Sequence, residues 1–477
     1  MTRFEWCLIA LFAAIIVFQS FVPPTVGLAN NGDFSKMIGR FSLGPEEAGT
    51  DESAFYVQRW KYDPAYSWDS SDNTSSELLL IRAALGIVKL FSSRIFDIRI
   101  LGVIHAMLWI GCFAASLPLF RTLPGWTRYA VPVFTVFVFS DVSYVAYFNS
   151  FYTDTAAFLF MRWCVVIALL VASRIWTGWL PFLGLLAAAL FVIFSKPQHS
   201  LLGLLLWLLA AGVSLALPGR SGKIAGLILA PLLPLAAIIG VQMIPDGERQ
   251  DGLFNMIFAK TLKHSVDLAA DLRELGLSPD LQLLVGSYAQ KEGSPMKDPN
   301  FARAFSRRQH QRLALFLLHH PLVSFGILYE DLNRPAAGRR LGFLGNYQRE
   351  AGFPAFKRAR SFGWWSAFRS FWFRLAPWHI LVWYAGFIGA SAWAAWRYGG
   401  TVAGNTAGVA LVVATMGLAA MTIASFGEVG ETDRHQWLFH VLTDITVVMA
   451  VAGGCRFFVA PQQGRLESGP QVANLPH

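Results

Sequence analysis

Long apolar segments alternate with short polar connections along most of the chain. A helix needs about 20 mostly apolar residues to cross a bilayer, and ten segments qualify. The pattern predicts an all-α polytopic membrane protein with about ten transmembrane helices, interfacial helices and one helical external domain. The predicted spans are 7–28, 99–120, 129–148, 155–173, 177–194, 200–217, 224–244, 379–396, 407–426 and 437–458.

Two segments allow a different interpretation. The first span could be a cleaved signal peptide, since Gly-Leu-Ala at 27–29 resembles a cleavage site, but only Arg3 supplies a positive region before it. Residues 313–328 could form an eleventh span, which would invert everything after it. Because this segment is short and Pro321 breaks its centre, we predict a pair of amphipathic helices in the outer interface or in the external domain.

Lys and Arg residues in the short loops predict the orientation, because they mark the cytoplasmic side of a membrane. Placing the N-terminus inside puts these side chains in the cytoplasm: Arg3, Arg121, Arg128, Arg174, Arg220, Lys223, Arg397 and Arg456. The predicted organisation is a transmembrane core at 1–244 with an external loop at 29–98, a basic external (periplasmic) domain at 245–378, C-terminal transmembrane helices at 379–460 and a disordered cytoplasmic tail at 461–477.

Composition supports a membrane protein. Of the 477 residues, 55% are hydrophobic and 14% charged, and the mean hydropathy of +0.45 is too apolar for an ordinary soluble protein. The net charge of +9 fits the Lys and Arg of membrane-protein loops, so we expect the lipid bilayer as a partner and no nucleic acid. Four cysteines lie in apolar segments without metal-like spacing and are interpreted as packing residues.

The external segments differ in charge. Residues 245–378 are rich in Lys and Arg, and residues 362–378 interleave arginines with aromatic side chains. This stretch is interpreted as a surface helix docked on lipid headgroups or as a groove for an anionic lipid carrier. Residues 29–76 are acidic and could close a polar site against the basic domain, while 77–91 has the pattern of an amphipathic interfacial helix.

The turn after the first span holds the first candidate site residue. Asn30, Asn31 and Gly32 precede Asp33, and glycine allows a tight turn there. Asn31 is a candidate substrate-binding residue. Asp33 would then stay near the membrane surface, where its carboxylate could accept a proton from a hydroxyl group or bind a metal ion. The alternative is an ordinary helix-terminating turn.

A predicted hairpin between the third and fourth spans supplies further candidates. Asn149, Tyr152 and Asp154 lie at its exposed tip, and either contribute to a site or form an ordinary polar turn. Asp141 and Arg162 lie on either side of the tip and should both sit about 10 Å below the surface. Since an unpaired charge inside a bilayer is costly, we predict that these two side chains pair.

Two later loops carry groups suited to a phosphate. Lys196 supplies a point charge beside Gln198 and His199, although a snorkelling lysine in a proline turn is the alternative. The loop before the last span contains the further candidates Glu431, Arg434 and His435. Arg434 with His435 could bind a phosphate while Glu431 or Asp433 orients them, and the alternative is a self-neutralising loop. Motifs for ATP-driven transport, zinc proteolysis and serine hydrolysis do not occur in the sequence.

The chain resembles the GT-C superfamily of membrane glycosyltransferases in four motifs and in their order. They are an acidic residue in the first external loop, Tyr-Phe-Asn-Ser-Phe-Tyr at 147–152, Ser-Lys-Pro-Gln at 195–198 and Arg-His at 434–435. Within this superfamily, the chain is most similar to bacterial envelope-glycan hexosyltransferases of the WsfD-like type. The resemblance covers about 1–244 and 379–458.

The resemblance implies an inverting transfer of a sugar from a polyprenyl-phosphate donor to an envelope glycan or lipid acceptor, at the periplasmic or external face of a bacterial inner membrane. Asp33 would be the catalytic general base, and Lys196, Arg434 and His435 would bind the donor phosphate. Many relatives carry two adjacent acidic residues where Phe34 follows Asp33 here, which leaves a divalent metal requirement open. The alternatives are a lipid-linked glycan transporter or flippase, whose pathway Asp141, Arg162 and Asp444 would line, and an oligosaccharide ligase or polymerase.

Overall fold

The computed structural model describes residues 1–47, 49, 51–64, 74–91, 94–333, 344–375, 378–427, 429 and 432–467. Most of this chain is helical. The N-terminal half contains α1 (Arg3–Phe21), α2 (Phe34–Ile38), α3 (Glu77–Leu90), α4 (Arg99–Phe120), α5 (Thr127–Phe139), α6 (Val142–Val145), α7 (Asp154–Ala172), α8 (Trp179–Ile193), α9 (Pro197–Ser200), α10 (Gly203–Leu215), α11 (Arg220–Leu229) and α12 (Leu232–Gln242).

The C-terminal half begins with shorter helices and ends with long apolar ones. It contains α13 (Asp246–Phe254), α14 (Leu268–Glu274), α15 (Pro299–Ala302), α16 (Arg307–His319), α17 (Pro321–Asn333), α18 (Trp364–Leu375), α19 (His379–Arg397), α20 (Val402–Gly427), α21 (Thr432–His435) and α22 (Trp437–Glu467). A π-helical segment, Asn255–Lys260, follows α13 directly.

The helices fit the predicted membrane organisation at a coarse level. Each of the ten predicted spans contains a helix, but among the described residues six helices are long and apolar enough to cross a membrane: α1, α4, α7, α11 with α12, α20 and α22. The exact span number therefore stays a prediction. Helices α16 and α17 are bent by 93° at the break before Pro321. Together they are also long and apolar enough for one further span, so their placement in the interface or external domain stays a prediction.

A small antiparallel sheet corrects the prediction of an all-α chain. Strands β1 (Leu43–Pro45), β2 (Arg59–Tyr62) and β3 (Ile95–Asp97) pair in that order, with Trp60 opposite Phe96. Both of these side chains are buried. The sheet lies in the polar region between α1 and α4.

Helix α7 is the centre of the main core. Most of its residues are buried, and it packs against α4, α8, α20 and α22. Residues 253–327 build a second hydrophobic core, whereas residues 344–373 contribute to the main one. The segment between the two groups of apolar helices is therefore divided between two cores.

Helix α18, within the predicted aromatic and arginine-rich surface segment, is anchored to the main core. Arg369 is fully buried and forms an ion pair with Asp444 of α22. Tyr144 donates a hydrogen bond to the same carboxylate at 2.7 Å. Arg369 therefore does not reach lipid phosphates, although the opposite face of α18 exposes Trp364 and Phe368.

Candidate active site

A cavity of about 1350 Å³ opens where α9, α12, α13 and the segment before α22 meet the turn after α1. Its polar end contains Asp33, Tyr152, Lys196, Arg434 and His435. Apolar walls come from α10, α12, α20 and the end of α9, with Leu201, Leu204, Ile238, Val241, Ile423 and Phe426 among the lining side chains, and α13 adds polar side chains. Residues from four distant parts of the sequence thus converge on one space.

Hydrogen bonds from two asparagines fix the turn that carries Asp33. Asn30 Oδ1 accepts from the backbone N–H groups of Gly32 and Phe34 at 2.8 and 3.1 Å, and Asn31 Oδ1 accepts from Asp33 N at 3.1 Å. Gly32 has a φ of +106°, which L side chains rarely adopt. The turn predicted from the glycine is therefore confirmed.

Aromatic packing supports the turn from behind. Phe34 is buried, and its ring lies 4.8 Å from the ring of Tyr152 and 5.3 Å from that of Phe151. Trp60 of β2 closes the cluster at 5.2 Å from Phe151. Position 34 faces the core, which explains why an apolar residue follows Asp33 in this chain.

Asp33 lies between two cations. It forms ion pairs with Arg434 and, at 3.3 Å, with Lys36. Burial alone would raise the pKa of Asp33, but the charges of Arg434, Lys36 and Lys196 outweigh burial and hold this pKa well below its usual range. In the ligand-free site Asp33 is therefore an ionised carboxylate engaged with cations.

Tyr152 positions Arg434 rather than forming an exposed turn. The guanidinium carbon of Arg434 lies 5.0 Å from the centre of the Tyr152 ring, within cation–π distance. The Tyr152 hydroxyl donates to Ala29 O at 2.9 Å and accepts from Asn31 N at 3.1 Å. One side chain thereby joins the Asp33 turn to the arginine.

Lys196 comes from the short connection between α8 and α9. Its Nζ lies 2.7 Å from His435 Nδ1 and 3.8 Å from Asp154 Oδ1. Asp154 is buried and begins α7, so it orients Lys196 from inside the core and does not line the cavity. Lys196 is thus held with its ammonium group at the polar end.

His435 contributes no positive charge to this cluster. Burial, together with the charges of Lys196 and Arg434, lowers the pKa of His435 well below its ordinary value. Nδ1 of His435 lies 2.7 Å from Lys196 Nζ, which can only donate, and 3.0 Å from Gln198 Oε1, which can only accept, so the tautomer of the ring selects between the two contacts. Of the three predicted phosphate ligands, Lys196 and Arg434 supply charge and His435 supplies orientation.

Gln198 and His199 lie next to His435 and support it. Gln198 Nε2 donates to His435 O at 3.1 Å and lies 3.2 Å from His199 Nε2. Burial lowers the pKa of His199 to about 4, and its Nδ1 lies 2.9 Å from Ser195 Oγ. Gln198 lines the cavity, whereas His199 is buried behind it, so His199 supports the site without contacting a ligand.

The structure corrects the proposed role of Asn149. This side chain is completely buried, and its Nδ2 donates to Ser20 O at 3.0 Å and to Val26 O at 2.8 Å. It holds the chain that leaves α1 and does not reach the cavity. The predicted site residue Glu431 lies outside the described residues.

The predicted pairing of Asp141 with Arg162 is wrong. Asp141 accepts hydrogen bonds from Ser143 N at 2.9 Å and Ser366 N at 2.8 Å, and so caps α6 and the first turn of α18. Arg162 instead stacks on aromatic rings, with its guanidinium carbon 4.1 Å from the centre of the Trp109 ring. Neither side chain lines the cavity.

Comparison with known families gives one assignment. Residues 3–463 match the family described as the YfdI N-terminal transmembrane domain. The chain belongs to this family. Comparisons with curated proteins and with solved structures gave no match. Membership in the YfdI family, with the apolar helices, makes the chain a multi-pass membrane protein embedded in a lipid bilayer, while the narrower resemblance to WsfD-like enzymes stays a prediction.

The surroundings of Asp33 in this YfdI-family chain do not fit a divalent cation. Its near neighbours among the described residues are Lys36 and Arg434, which repel a metal ion. In the same part of the chain, one group of at least three His, Cys, Asp or Glu ligand atoms is close enough to share an ion, and it consists of Asp271, Glu274 and His320. That group does not line the cavity.

Sequence reasoning missed Lys36 and Glu248. Lys36 lies three residues after Asp33 and also forms an ion pair with Glu248 of α13 at 3.4 Å. The i, i+3 spacing on a short helix could have indicated the first contact. The second joins residues 212 positions apart, and nothing local in the sequence indicates it.

Proposed function

We propose that this YfdI-family protein is a membrane glycosyltransferase that moves a sugar from a polyprenyl-phosphate donor to an acceptor hydroxyl with inversion at the anomeric carbon. The observation that carries the proposal is a carboxylate beside two fixed cations, Lys196 and Arg434, at the polar end of a largely apolar cavity. A donor with an anionic headgroup and a long hydrocarbon chain has the same division into polar and apolar parts.

The two cations suit a phosphodiester. Arg434 offers a planar fork of N–H groups and Lys196 a point charge, and both recognise phosphate oxygens. The apolar walls from α10, α12 and α20 would contact the prenyl chain, and Leu201, Leu204 and Ile238 are more than half exposed. Exposed apolar side chains on a membrane protein are compatible with a lateral path for a lipid.

The chemical step follows from the roles of these groups. Asp33 accepts the proton of the acceptor hydroxyl as its oxygen forms a bond to the anomeric carbon. The bond from that carbon to the phosphate oxygen breaks, and its electron pair leaves with the polyprenyl phosphate. Lys196 and Arg434 stabilise the charge that develops on the leaving phosphate.

Donor binding would also make Asp33 a better base. In the free site the cations lower the pKa of Asp33. A bound phosphate shares Arg434 and adds a negative charge nearby, and both effects raise the pKa of the carboxylate. The base would therefore gain proton affinity when its substrate is present.

The contacts give less support to a transporter. The three buried charges that would line its pathway have other partners: Asp141 caps two helices, Arg162 stacks on aromatic rings and Asp444 pairs with Arg369. None of the three lines the cavity. We propose that the cavity lies on the periplasmic or external side. Arg121 follows the last residue of α4 and Arg128 lies in the first turn of α5, and arginines at this end of the two helices fit the cytoplasmic preference of arginine.

The test uses purified protein in lipid nanodiscs with a panel of polyprenyl-phosphate sugars and glycan or lipid acceptors. We expect consumption of one donor with release of polyprenyl phosphate, and a loss of about 10²- to 10⁴-fold in Asp33→Asn, the usual contribution of a general base. Arg128→Gln is the control, since this exposed side chain contacts Tyr129 away from the cavity. Full activity of Asp33→Asn contradicts the assignment of the base.

Two further arms separate the alternatives. Consumption of a polyprenyl-diphosphate oligosaccharide, with no reaction of any monophosphate donor, would indicate a ligase or polymerase. Movement of labelled lipid across a liposome membrane without cleavage of the sugar bond would indicate a transporter.

A further inference from the structure

A second polar patch lines the cavity, on α13, at the start of the π-helical segment and on the connection between α14 and α15. It consists of Asp251, Asn255 and Gln290. Asp251 and Asn255 are four residues apart along a continuous helical backbone, so their side chains lie on the same face. The patch differs from the cation cluster because it contains one carboxylate and two amides.

Hydrogen bonds hold the three side chains in one arrangement. Gln290 Nε2 donates to Asp251 Oδ2 at 3.3 Å, and Asn255 Nδ2 donates to Gln290 Oε1 at 3.1 Å. Asn255 Oδ1 accepts from Ala289 N at 2.7 Å, which fixes the loop to the helix. Among the described residues, Oδ1 of Asp251 accepts no hydrogen bond, so the patch retains bonding capacity toward a ligand.

An ion pair links this patch to the candidate base. Lys36 Nζ lies 3.3 Å from Asp33 and 3.4 Å from Glu248. Glu248 precedes Asp251 by three residues on α13, which is about one helical turn. Asp251 therefore lies one helical turn from Glu248, and Glu248 contacts the same Lys36 that contacts Asp33.

The environment of Asp251 is that of a cavity wall. The pKa of Asp251 is raised, chiefly because burial disfavours its charged form. The hydrogen bond from Gln290 lowers this pKa and the negative charge of Glu248 raises it further. Gln290 is exposed and Asn255 is half-buried, so neither side chain is needed to fill the core. Asp251, Asn255 and Gln290 are thus held in place at the cavity wall, where they can form hydrogen bonds with a ligand.

We infer that Asp251, Asn255 and Gln290 bind hydroxyl groups of the donor hexose and thereby select the sugar. Planar carboxylate and amide groups accept from and donate to neighbouring hydroxyls, which is the hydrogen-bonding pattern of a hexose. In a polyprenyl-phosphate sugar the ring is joined directly to the phosphate, so the hexose must contact a wall near the cation cluster. This inference rests on the proposed glycosyltransferase function and adds the side chains that recognise the hexose.

The test measures equilibrium binding to the full-length protein in nanodiscs. The probes are polyprenyl phosphate and polyprenyl-phosphate glucose, galactose and mannose. The wild type should bind one hexose derivative more tightly than the bare phosphate. Asp251→Asn should weaken that binding about tenfold, as expected for a hydrogen bond to a charged group, and leave the affinity for polyprenyl phosphate unchanged.

Two other variants keep the result interpretable. Gln290→Ala alters an exposed loop residue and should also reduce the preference for the hexose derivative without affecting folding. Asp246→Asn is the matched control, because Asp246 lies on the same helix, is 87% exposed at its side chain and does not line the cavity. Its binding should equal that of the wild type.

The outcomes separate this inference from the proposed function. If the wild type prefers one hexose derivative and both cavity variants keep that preference, the sugar is read elsewhere and the inference is wrong. The same holds if the wild type transfers sugar but binds all four probes equally. If the wild type binds none of the probes and transfers no sugar, the proposed function itself fails and this inference falls with it.

Discussion

Arg434→Gln and Asp33→Asn should change the affinity for polyprenyl phosphate in opposite directions. The two side chains form an ion pair in the ligand-free site, and a phosphate would have to share Arg434 with Asp33. Removing the arginine takes away a phosphate ligand. Removing the charge of Asp33 frees Arg434 from a group that competes with the phosphate, and it also removes a negative charge that repels the phosphate.

The solvent exposure of Arg434 and Asp33 determines how large the two changes in affinity should be. Arg434 is 13% exposed at its side chain and Asp33 31%. Loss of one hydrogen bond to a charged group costs about 1.5–3 kcal/mol, so Arg434→Gln should weaken binding about 10- to 150-fold. The competing pair is partly solvated and worth about 1 kcal/mol, so Asp33→Asn should tighten binding about fivefold.

The assay is a direct binding titration of labelled polyprenyl phosphate to each variant in nanodiscs, combined with the transfer assay. Arg128→Gln serves again as the control for the loss of one positive charge. Asp33→Asn should thus bind the phosphate more tightly while losing transfer. Weaker binding in Asp33→Asn, or unchanged binding in Arg434→Gln, would refute the competition between carboxylate and phosphate.

Three other perturbations test the scaffold and the charges. Gly32→Ala should destabilise the turn by about 1–2 kcal/mol and reduce transfer, because the φ of +106° is unfavourable for alanine although no atom lies within 4 Å of the added Cβ; unchanged melting and activity would contradict this. Asp444→Asn should lower the free energy of unfolding by about 3–5 kcal/mol by leaving the charge of Arg369 buried, and unfolding in detergent should show recovery when Arg369→Met is added. In pH profiles, the acid limb of kcat/KM should lie below the usual range for Asp because the cations lower the pKa of Asp33 in the free protein and ionisation is lost only as pH falls through that lowered pKa. The acid limb of kcat should lie at higher pH, since the bound phosphate raises the same pKa; coincident limbs would contradict donor-induced activation of the base.

Hydropathy predicted where the apolar helices lie, because burial in a bilayer imposes a composition that is visible in any window of the sequence. It failed between residues 140 and 153. Helix α5 ends at Phe139, and the chain then folds into the core around Tyr144 and Phe148 instead of forming an exposed hairpin tip. The placement of Asp141 and Asn149 depended on a regular hairpin, so both predictions failed together.

The candidate site was predictable as a set of residues but not as a network. Asp33, Lys196 and Arg434 were predicted because each is a charged residue close to the end of an apolar span, and one topology puts all three on the same face. The contacts of Lys36 with Glu248 and of Arg369 with Asp444 join distant parts of the chain. Strand β2 left a weak signal in the alternation around Trp60, but β1 and β3 are only three residues long and give no periodicity.

The charge balance of the site gives a physical reason for its arrangement. Among the described residues around its polar end, the carboxylates Asp33, Asp154 and Glu248 match the cations Lys36, Lys196 and Arg434 in number. A neutral cluster costs less to keep beside apolar walls than one with excess charge. Binding of a phosphodiester adds one negative charge to this balanced set. In the described part of the chain, the carboxylate that contacts Arg434 is Asp33, and it can neutralise that excess by taking up a proton. If that proton comes from the acceptor hydroxyl, restoring the charge balance of the site and activating the nucleophile are one event.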